Sequence, residues 1–492
     1  QRVIWDPQSI EALLSGVPDD RMLIIDLAVD FNRFVWQSKK TWEYVPGLFG
    51  KQWIYSTTPN FGGRNALTGV LESYANGHLE ALSSPNKGRL TGYGTSPEGV
   101  ESNEIIYEII AAAGWSDSKI DLKRFLHDYS AARYGSCPEG IDRFWTEMLQ
   151  SSYNECTNNA RYRWQTRPYA HRMPTMGINE HYYAAIESFL ACAGKLGGSE
   201  LYRTDAVQYA ALYLASKADM LLEAANWADL YGDREAAYEY ALRIERLLLD
   251  ADRLLESHPL LRLDRWSGMA RKAGCTEEEK ERFVGESRRL ISVWGGPSLS
   301  DYSARVWSGV IRDYYVPRLH KYLDAKADGT TFDFRTWDEQ WHASRTASRA
   351  EPFDDPLAEA RRLVAGAGDI TPTLNPRPAD AAAFWSPFEL TKPAVNLSFT
   401  IGWDQFEKAR ALRIVPVRGR ETVKVTGVRC SANRYDRARE EAAIEVGPAS
   451  GAVEIPLHKL QAPDPLSKEV TVYIRIEGKV AADNYAAVEL AY

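Results

Sequence analysis

Two short segments place potentially reactive groups directly after apolar, strand-like runs. Residues 92–98 read Gly-Tyr-Gly-Thr-Ser-Pro-Glu and present the carboxylate of Glu98. Residues 60–63 read Asn-Phe-Gly-Gly and follow another apolar run in the same way. Side chains at the ends of parallel barrel strands collect at the mouth of the barrel, where active sites of that fold lie. The alternative interpretation of Glu98 is a solvated glutamate in an ordinary turn.

The chemistry that suits such a site is the cleavage of a glycosidic bond. Hydrolysis uses two carboxyl groups, about 5–5.5 Å apart when configuration is retained and about 6.5–9.5 Å apart when it is inverted. The chain also contains 15 Trp and 26 Tyr, whose rings have an apolar face and a polar tip and so suit sugar rings. Core packing accounts for most of these aromatic residues. The two glycine-lined strand ends therefore indicate a carbohydrate-cleaving site.

The elements that must position these groups follow from the apolar periodicity. Strands are predicted at 22–27, 53–57 and 90–94, with helical patterns at 65–74 and 102–113 and a possible fourth strand near 172–177. Repeated strand, loop and helix units predict a parallel sheet with crossover helices. They amount to about half of a (β/α)8 barrel, and we expect the earlier half to be missing from this sequence.

The spacing of apolar residues changes twice further along the chain. We predict a multidomain fold that combines α/β, all-α and all-β parts, because period-3.6 stripes give way to period-two alternation. One stripe comprises Val207, Ala211, Leu214, Ala218 and Leu221, and a second comprises Ala241, Ile244, Leu248, Ala251 and Leu255. The predicted domains are 1–177 (second half of a catalytic barrel), 178–350 (all-α), 351–383 (linker) and 384–492 (antiparallel β-sandwich).

Composition excludes several classes of function. A net charge of −8 argues against a nucleic-acid surface, which needs a basic stripe. No apolar run is long enough for a membrane span. Eight His and five Cys show neither CxxC nor HExxH spacing, so we expect no metal site. Cys137 and Cys156 either pair or remain free thiols.

Five motifs, in register, resemble the α-N-acetylglucosaminidases of glycoside hydrolase family 89. They are the stretches 53–72 and 90–115, Ala-Ala-Arg-Tyr-Gly at 131–135, Ser-Tyr-Asn at 152–154, and Trp294-Gly295 with Asp301-Tyr302. The resemblance runs from about residue 21 to about residue 341 and leaves the predicted sandwich unmatched. It implies an exo-acting, retaining hydrolase of terminal α-linked N-acetylglucosamine that needs no cofactor and has a helical domain closing the site.

The resemblance also assigns roles to particular residues. Glu98 takes the place of the nucleophile. The substrate-binding positions implied by the matching motifs are Asn60, Gly62, Gly63, Tyr55, Trp294, Tyr302 and Glu339. The glycines are expected to let the chain approach the ligand closely. This sequence departs from the family at Pro59, where a histidine is usual, and one residue is missing between Trp294 and Tyr302.

The partner of Glu98 cannot be assigned. The family's general acid is a Glu preceded by Asn on an earlier barrel strand, upstream of the matched region. The Asn-Glu pairs of this chain are 103–104 and 179–180. Glu104 suits a helix start, where the dipole favours a carboxylate, and Glu180 has no counterpart in the family. We therefore expect the 492 residues to hold half of an active site and to be inactive alone.

Three other interpretations stay open at this stage. The protein could be a barrel glycosidase with another sugar preference, because pocket shape sets the acetamido requirement. It could be a glycan-binding protein without catalysis. A structural helical scaffold is the third, but it leaves the glycine-lined strand ends unexplained. The β-sandwich could bind sugar or serve as a structural appendage.

Overall fold

The computed structural model describes residues 6–35, 39–99, 103–157, 160–166, 176–230, 232–294, 299–344, 348–371, 385–389, 394–418, 422–431, 444–446, 451–457, 469–478 and 485–492. The α-helices are α1 (Pro7–Ser15), α2 (Val29–Phe34), α3 (Thr41–Tyr44), α4 (Leu71–Ser83), α5 (Glu104–Ala113), α6 (Leu122–Tyr134), α7 (Glu139–Met148), α8 (Glu180–Ala191), α9 (Ala193–Leu196), α10 (Glu200–Leu230), α11 (Arg234–Leu255), α12 (Leu263–Lys272), α13 (Glu277–Ser292), α14 (Val316–Ala327), α15 (Phe334–Ser344), α16 (Pro356–Gly366) and α17 (Trp403–Lys408).

The β-strands are β1 (Leu23–Asp26), β2 (Gln52–Thr57), β3 (Gly69–Val70), β4 (Arg89–Thr95), β5 (Asn154–Glu155), β6 (Trp385–Glu389), β7 (Ala394–Gly402), β8 (Ala411–Arg418), β9 (Val423–Ser431), β10 (Ile444–Val446), β11 (Val453–Pro456), β12 (Glu469–Gly478) and β13 (Tyr485–Ala491). Short 3-10 helices lie at Asp19–Arg21, Pro46–Gly50 and Arg163–Gln165, and a π-helical turn at Ile311–Tyr315 leads into α14.

The first sheet confirms the three predicted strands. Its order is β1-β2-β4, and both pairings are parallel. The helix predicted at 65–74 begins later, at Leu71, because Gly69 and Val70 pair with β5 instead. Most of the possible fourth strand near 172–177 lies outside the described residues. What the structure describes is thus three parallel strands with their crossover helices.

Strand alternation gives this sheet two different faces. Trp53 and Tyr55 pack into a core with Trp42 of α3. On β1 the alternate side chains, Leu23 and Ile25, are instead 53% and 54% exposed. Parallel sheets are normally covered on both faces, so this exposed apolar row is unusual.

The helical region has one large core. Helix α10 is buried along much of its length, and every residue of its predicted stripe from Val207 to Leu221 is buried, as is every residue of the stripe on α11. The same core includes Leu126 of α6 and Phe144 of α7, although both lie before the predicted domain boundary at 177. The core also includes Leu71 of α4 and Ile109 of α5, so it extends from the helical region to the helices beside the parallel sheet.

The predicted linker needs a correction in its first half. Residues Pro356–Gly366 form α16, begun by Asp355, whose side chain accepts a hydrogen bond from the N–H of Ala358. Leu363 and Val364 of this helix are buried in the core of the helical region. The helix was not predicted because its flanks are rich in Pro and Asp, although Leu357, Ala360, Leu363 and Val364 have helical spacing. Residues 372–383 lie outside the described part of the chain.

The last part of the chain is sheet. Two four-stranded sheets have the orders β10-β9-β12-β7 and β11-β8-β13-β6, and their pairings are antiparallel. Side chains of both sheets, such as Val472 and Ile414, share one hydrophobic cluster. Among the described helices, none is sufficiently long and apolar to cross a membrane.

Candidate active site

The parallel strands bring Asn60 and Glu98 to the same edge of the sheet. The N–H of Ser96 donates to the carbonyl of Thr57 at 2.8 Å, and the N–H of Glu98 reaches the carbonyl of Asn60 at 3.5 Å. The Asn60 side chain donates to the carbonyl of Gly99 at 2.8 Å. The expectation that Asn60 and Glu98 share one rim is therefore confirmed. Asn60 holds the loop that carries Glu98.

Glu98 is exposed, yet one of its oxygens is held firmly. The backbone N–H of Gly62 donates to Oε2 at 2.5 Å, and the hydroxyl of Tyr302 donates to the same oxygen at 2.6 Å. No described residue donates a hydrogen bond to Oε1. The carboxylate of this exposed residue is thus held through one oxygen, Oε2.

Tyr302 comes from the helical region, some 200 residues further along the chain. Its ring contacts that of Trp294 edge-on, with centroids 5.2 Å apart. Burial, together with the hydrogen bond to Glu98, raises the pKa of Tyr302, so its hydroxyl stays protonated and remains a donor. The prediction that Trp294 or Tyr302 faces Glu98 is confirmed for Tyr302.

The two glycines lie close to residues of the helical region. Both have left-handed backbone, with φ of 68° at Gly62 and 65° at Gly63. A Cβ at Gly62 would lie 2.5 Å from the carbonyl oxygen of Tyr302, and one at Gly63 would collide with the guanidinium of Arg305. The glycines therefore permit close approach of the helical region, and their close approach to a ligand stays a prediction.

Segments 60–65 and 301–306 are interlocked by hydrogen bonds. The side chain of Arg64 donates to the carbonyl of Tyr302 at 2.7 Å. Asn65 exchanges two bonds with the backbone of Val306, at 3.0 and 2.8 Å. In the other direction, Ser303 and Arg305 donate to the carbonyl of Gly62. The sequence motifs gave no sign of Arg64, Asn65 or Arg305.

A buried ion network supports segment 301–306 from behind. Arg318 donates to Asp301 at 2.7 Å and to the hydroxyl of Tyr314 at 2.9 Å. Tyr314 in turn donates to Asp338. Burial opposes the charge of Arg318, but Asp301, Tyr314 and Asp338 outweigh it and raise its pKa. Because Asp301 has φ of 59°, this network also stabilises an unusual backbone conformation next to Tyr302.

Two further residues, Tyr55 and Glu339, were predicted to bind substrate. Tyr55 is 4% exposed and packs edge-on against Tyr93, on the sheet face that α3 and α4 cover. Glu339 lies on the exposed side of α15, in an ion pair with Arg335 at 3.1 Å. Its neighbour Asp338 is the buried carboxylate of that helix. Because Tyr55 is buried in a core, its assignment to the pocket is corrected, whereas that of Glu339, an exposed side chain, stays a prediction.

The other acidic residues considered from sequence have structural partners or surface positions. Asp30 is 2% exposed, with hydrogen bonds from the N–H of Thr58 and the hydroxyl of Tyr74, and burial raises its pKa to about 6. Glu104 begins α5, and burial followed by the charge of Asp205 raises its pKa. Glu180 is exposed at the start of α8.

One group of described residues has the donor types of a metal site. His127, Cys137 and Asp142 bring three ligand atoms within 4.8 Å of one another. Hydrogen bonds from this set to Asp142, at 2.9 Å from His127 and 3.5 Å from Cys137, account for the closeness. The group lies on α6, α7 and the turn between them. All five cysteines are free, so Cys137 and Cys156 do not pair.

An exposed carboxylate at the carboxyl ends of parallel strands, met by an aromatic side chain from a helical region, is the arrangement of a barrel-enzyme site. Comparison with known families agrees. The model of the α-N-acetylglucosaminidase (NAGLU) TIM-barrel domain matches residues 1–117, and that of the NAGLU C-terminal domain matches residues 125–365. The chain belongs to the α-N-acetylglucosaminidase family. It therefore combines that family's barrel-domain sequence with its helical C-terminal domain and a sheet-rich end.

Individual relatives match over part of their length. Human α-N-acetylglucosaminidase is 28% identical over 338 residues, which is 67% of this chain and 44% of the human protein. A family 89 glycoside hydrolase from Clostridium perfringens, solved with PUGNAc, is 21% identical with a TM-score of 0.62, over 74% of this chain and 43% of that one. The chain spans less than half the length of each relative.

The Clostridium perfringens protein has also been solved with its substrate GlcNAc-α-1,4-galactose, as a variant with two glutamates changed to glutamine. That structure is 22% identical to this chain with a TM-score of 0.63, over 73% of this chain and 42% of that one. At these identities the likeness concerns the fold.

Proposed function

We propose that this protein carries the nucleophile half of an exo-acting, retaining glycoside hydrolase that releases terminal α-linked N-acetylglucosamine. The observation that carries the proposal is the geometry of Glu98, an exposed carboxylate held through Oε2 by Gly62 and Tyr302. The names of the human and clostridial relatives supply the sugar and the linkage. Two substituted glutamates in the clostridial substrate complex agree with chemistry based on two carboxyl groups.

The role of Glu98 follows from its two unequal oxygens. With Oε2 engaged, Oε1 attacks the anomeric carbon and forms a glycosyl ester, while the aglycone leaves with a proton from a second carboxyl group. That group, now a carboxylate, takes a proton from water, which hydrolyses the ester and restores both groups. The Gly62 and Tyr302 donors hold the carboxylate in place for this attack. Trp294 provides an aromatic wall beside the site.

The second carboxyl group is proposed to come from a polypeptide segment outside these 492 residues. The family resemblance places the general acid on an earlier barrel strand, upstream of the matched region. Strand β1 also exposes Leu23 and Ile25, as it would if further barrel strands covered this face. On this proposal residues 1–492 contribute the later barrel strands, the closing helical domain and a β-sandwich.

Hydrolysis of an aryl α-N-acetylglucosaminide tests the proposal directly. The 492-residue chain is assayed alone and in a completed protein, in which the coding sequence adjoining that of Gln1 is included. We expect turnover with retained configuration, read by NMR of the first product, from the completed protein and none from the chain alone.

Each other outcome has a definite meaning. Robust turnover by the 492 residues alone would place the acid within them and overturn the half-site proposal. Tight binding of 2-acetamido-1,2-dideoxynojirimycin without turnover by the completed protein would favour a non-catalytic glycan-binding protein. Faster turnover of another aryl glycoside would support glycosidase activity and overturn the proposed preference for an N-acetylated sugar. The absence of both binding and turnover would overturn the proposed function.

A further inference from the structure

Arg64 holds Tyr302 in two ways at once. Its Nε donates to the carbonyl oxygen of Tyr302 at 2.7 Å, and its guanidinium carbon lies 5.0 Å from the centroid of the same tyrosine ring. Such a position over an aromatic face is attractive for a cation. One side chain thus fixes both the backbone and the ring of the residue that donates to Glu98.

The burial of Arg64 makes this arrangement rigid. The residue is 4% exposed, and burial is the main reason why its pKa falls to about 9. A lysine has a single flexible point charge and cannot reproduce a planar fork that bonds a carbonyl while stacking on a ring. The two contacts therefore call specifically for arginine.

From these contacts we propose that Arg64 is a positioning residue that acts on Glu98 through Tyr302. This inference rests on the proposed glycosidase function. Arg64 follows Gly62 by two residues, so the loop that donates to Glu98 from one side also sets the donor on the other side. Both hydrogen bonds to Oε2 then depend on one interlocked loop, and the orientation of Oε1 depends on both.

The test compares three variants of the completed protein with the same aryl α-N-acetylglucosaminide. Arg64→Met is expected to lower kcat about 10- to 100-fold, the range for losing one charge-assisted contact, with a smaller change in KM. Arg64→Lys is expected to lower kcat by a similar factor. In a Tyr302→Phe background, adding Arg64→Met should lower kcat by a further factor of less than about three, because the effects of coupled residues are not additive.

Arg161→Met provides the matched control. Arg161 is a partly buried arginine, and it donates to the backbone carbonyl of Asp301 at 2.9 Å, one residue before Tyr302. It should lower thermal stability as Arg64→Met does while changing kcat much less. Far-UV circular dichroism confirms folding, and if Arg64→Met does not fold then Arg64→Lys is judged by the same criteria.

The failures of the two proposals are distinguishable. Loss of turnover in Glu98→Gln, together with equal kcat values for Arg64→Met and Arg161→Met, would overturn the role of Arg64 and keep the glycosidase. A full additional loss from Arg64→Met in the Tyr302→Phe background would show that Arg64 does not act through Tyr302. Unchanged turnover in Glu98→Gln would overturn the proposed function itself.

Discussion

Glu98 and Asp338 have similar immediate surroundings and opposite positions in the molecule. Each accepts a hydrogen bond from a tyrosine hydroxyl, of Tyr302 and Tyr314 respectively. Each of those tyrosines has an arginine over its ring, Arg64 at 5.0 Å and Arg318 at 4.7 Å. Glu98 is exposed whereas Asp338 is 2% exposed.

The difference in exposure separates chemistry from support. Asp338 and Asp301 share Arg318, which is 1% exposed, so this network costs stability when it is broken and offers nothing to a substrate. At Glu98 the same kinds of partner restrain one oxygen and leave the other accessible. Hydrogen-bonding partners alone therefore do not identify a reactive carboxylate, and its exposure must be considered as well.

The largest expected effect is that of Glu98→Gln in the completed protein. The change keeps the shape of the side chain and removes its charge, so kcat should fall by several orders of magnitude. Binding of 2-acetamido-1,2-dideoxynojirimycin, measured by calorimetry, and the thermal unfolding midpoint should persist. Asp338→Asn is the contrasting variant, with a lower midpoint and little change in kcat per folded molecule. The proposed difference between Glu98 and Asp338 would be wrong if Glu98→Gln lowered the midpoint and kept kcat while Asp338→Asn lowered kcat and kept the midpoint.

The next effect concerns Arg318. Arg318→Met leaves the buried carboxylates of Asp301 and Asp338 without their cation, and we expect a loss of about 3–5 kcal/mol in the free energy of unfolding, measured by urea denaturation. Arg335→Met serves as the control, because its ion pair with Glu339 is exposed and should contribute less than about 1 kcal/mol. Equal losses would contradict the assignment of Arg318 to structural support.

A smaller effect is expected for the tyrosine at the exposed carboxylate. Tyr302→Phe removes the hydroxyl that donates to Glu98, and kcat should fall about 10- to 100-fold, as expected for one hydrogen bond to a charged group. Tyr314→Phe removes the corresponding hydroxyl at Asp338 and should reduce stability with kcat nearly unchanged. Initial rates and denaturation curves for both variants decide whether the two tyrosines differ as proposed.

The smallest expected effect is a pH dependence of stability that arises from a buried histidine. His342 of α15 is 7% exposed, and burial is the main reason why its pKa falls to about 4, from 6.5. The unfolded chain binds this proton first, so its contribution to stability is present above pH 6.5 and decreases as the pH falls towards 4. At pH 5.5 the loss should be about 1 kcal/mol.

His342→Gln isolates this contribution. Glutamine can still donate to the hydroxyl of Ser292, which His342 contacts in the structure, but it does not titrate. Urea denaturation at pH 7.5 and pH 5.5 should therefore show a smaller decrease for the variant than for the parent protein. Identical decreases would mean that His342 is not the source of the pH dependence.

The sequence alone predicted much of the local structure and identified Glu98 as the candidate reactive carboxylate. Short apolar runs predicted the three parallel strands, and period-3.6 stripes predicted the two long helices, because a buried parallel strand is apolar throughout and a packed helix is apolar along one side. Pro97-Glu98-Gly99 and Asn60-Phe61-Gly62-Gly63 marked two strand ends, and parallel pairing requires those ends to meet at one edge. The family resemblance also indicated Tyr302 as a residue of the same site.

The tertiary structure decided what each residue contacts across the chain. Tyr55 was misplaced because its motif fixes its position along a strand but not the face of the sheet that neighbouring helices cover. Arg64 became meaningful only through Tyr302, 238 positions away, and Asp338 only through Arg318. Long-range hydrogen bonds and burial depend on which surfaces the fold brings together, and no local pattern in the sequence encodes that.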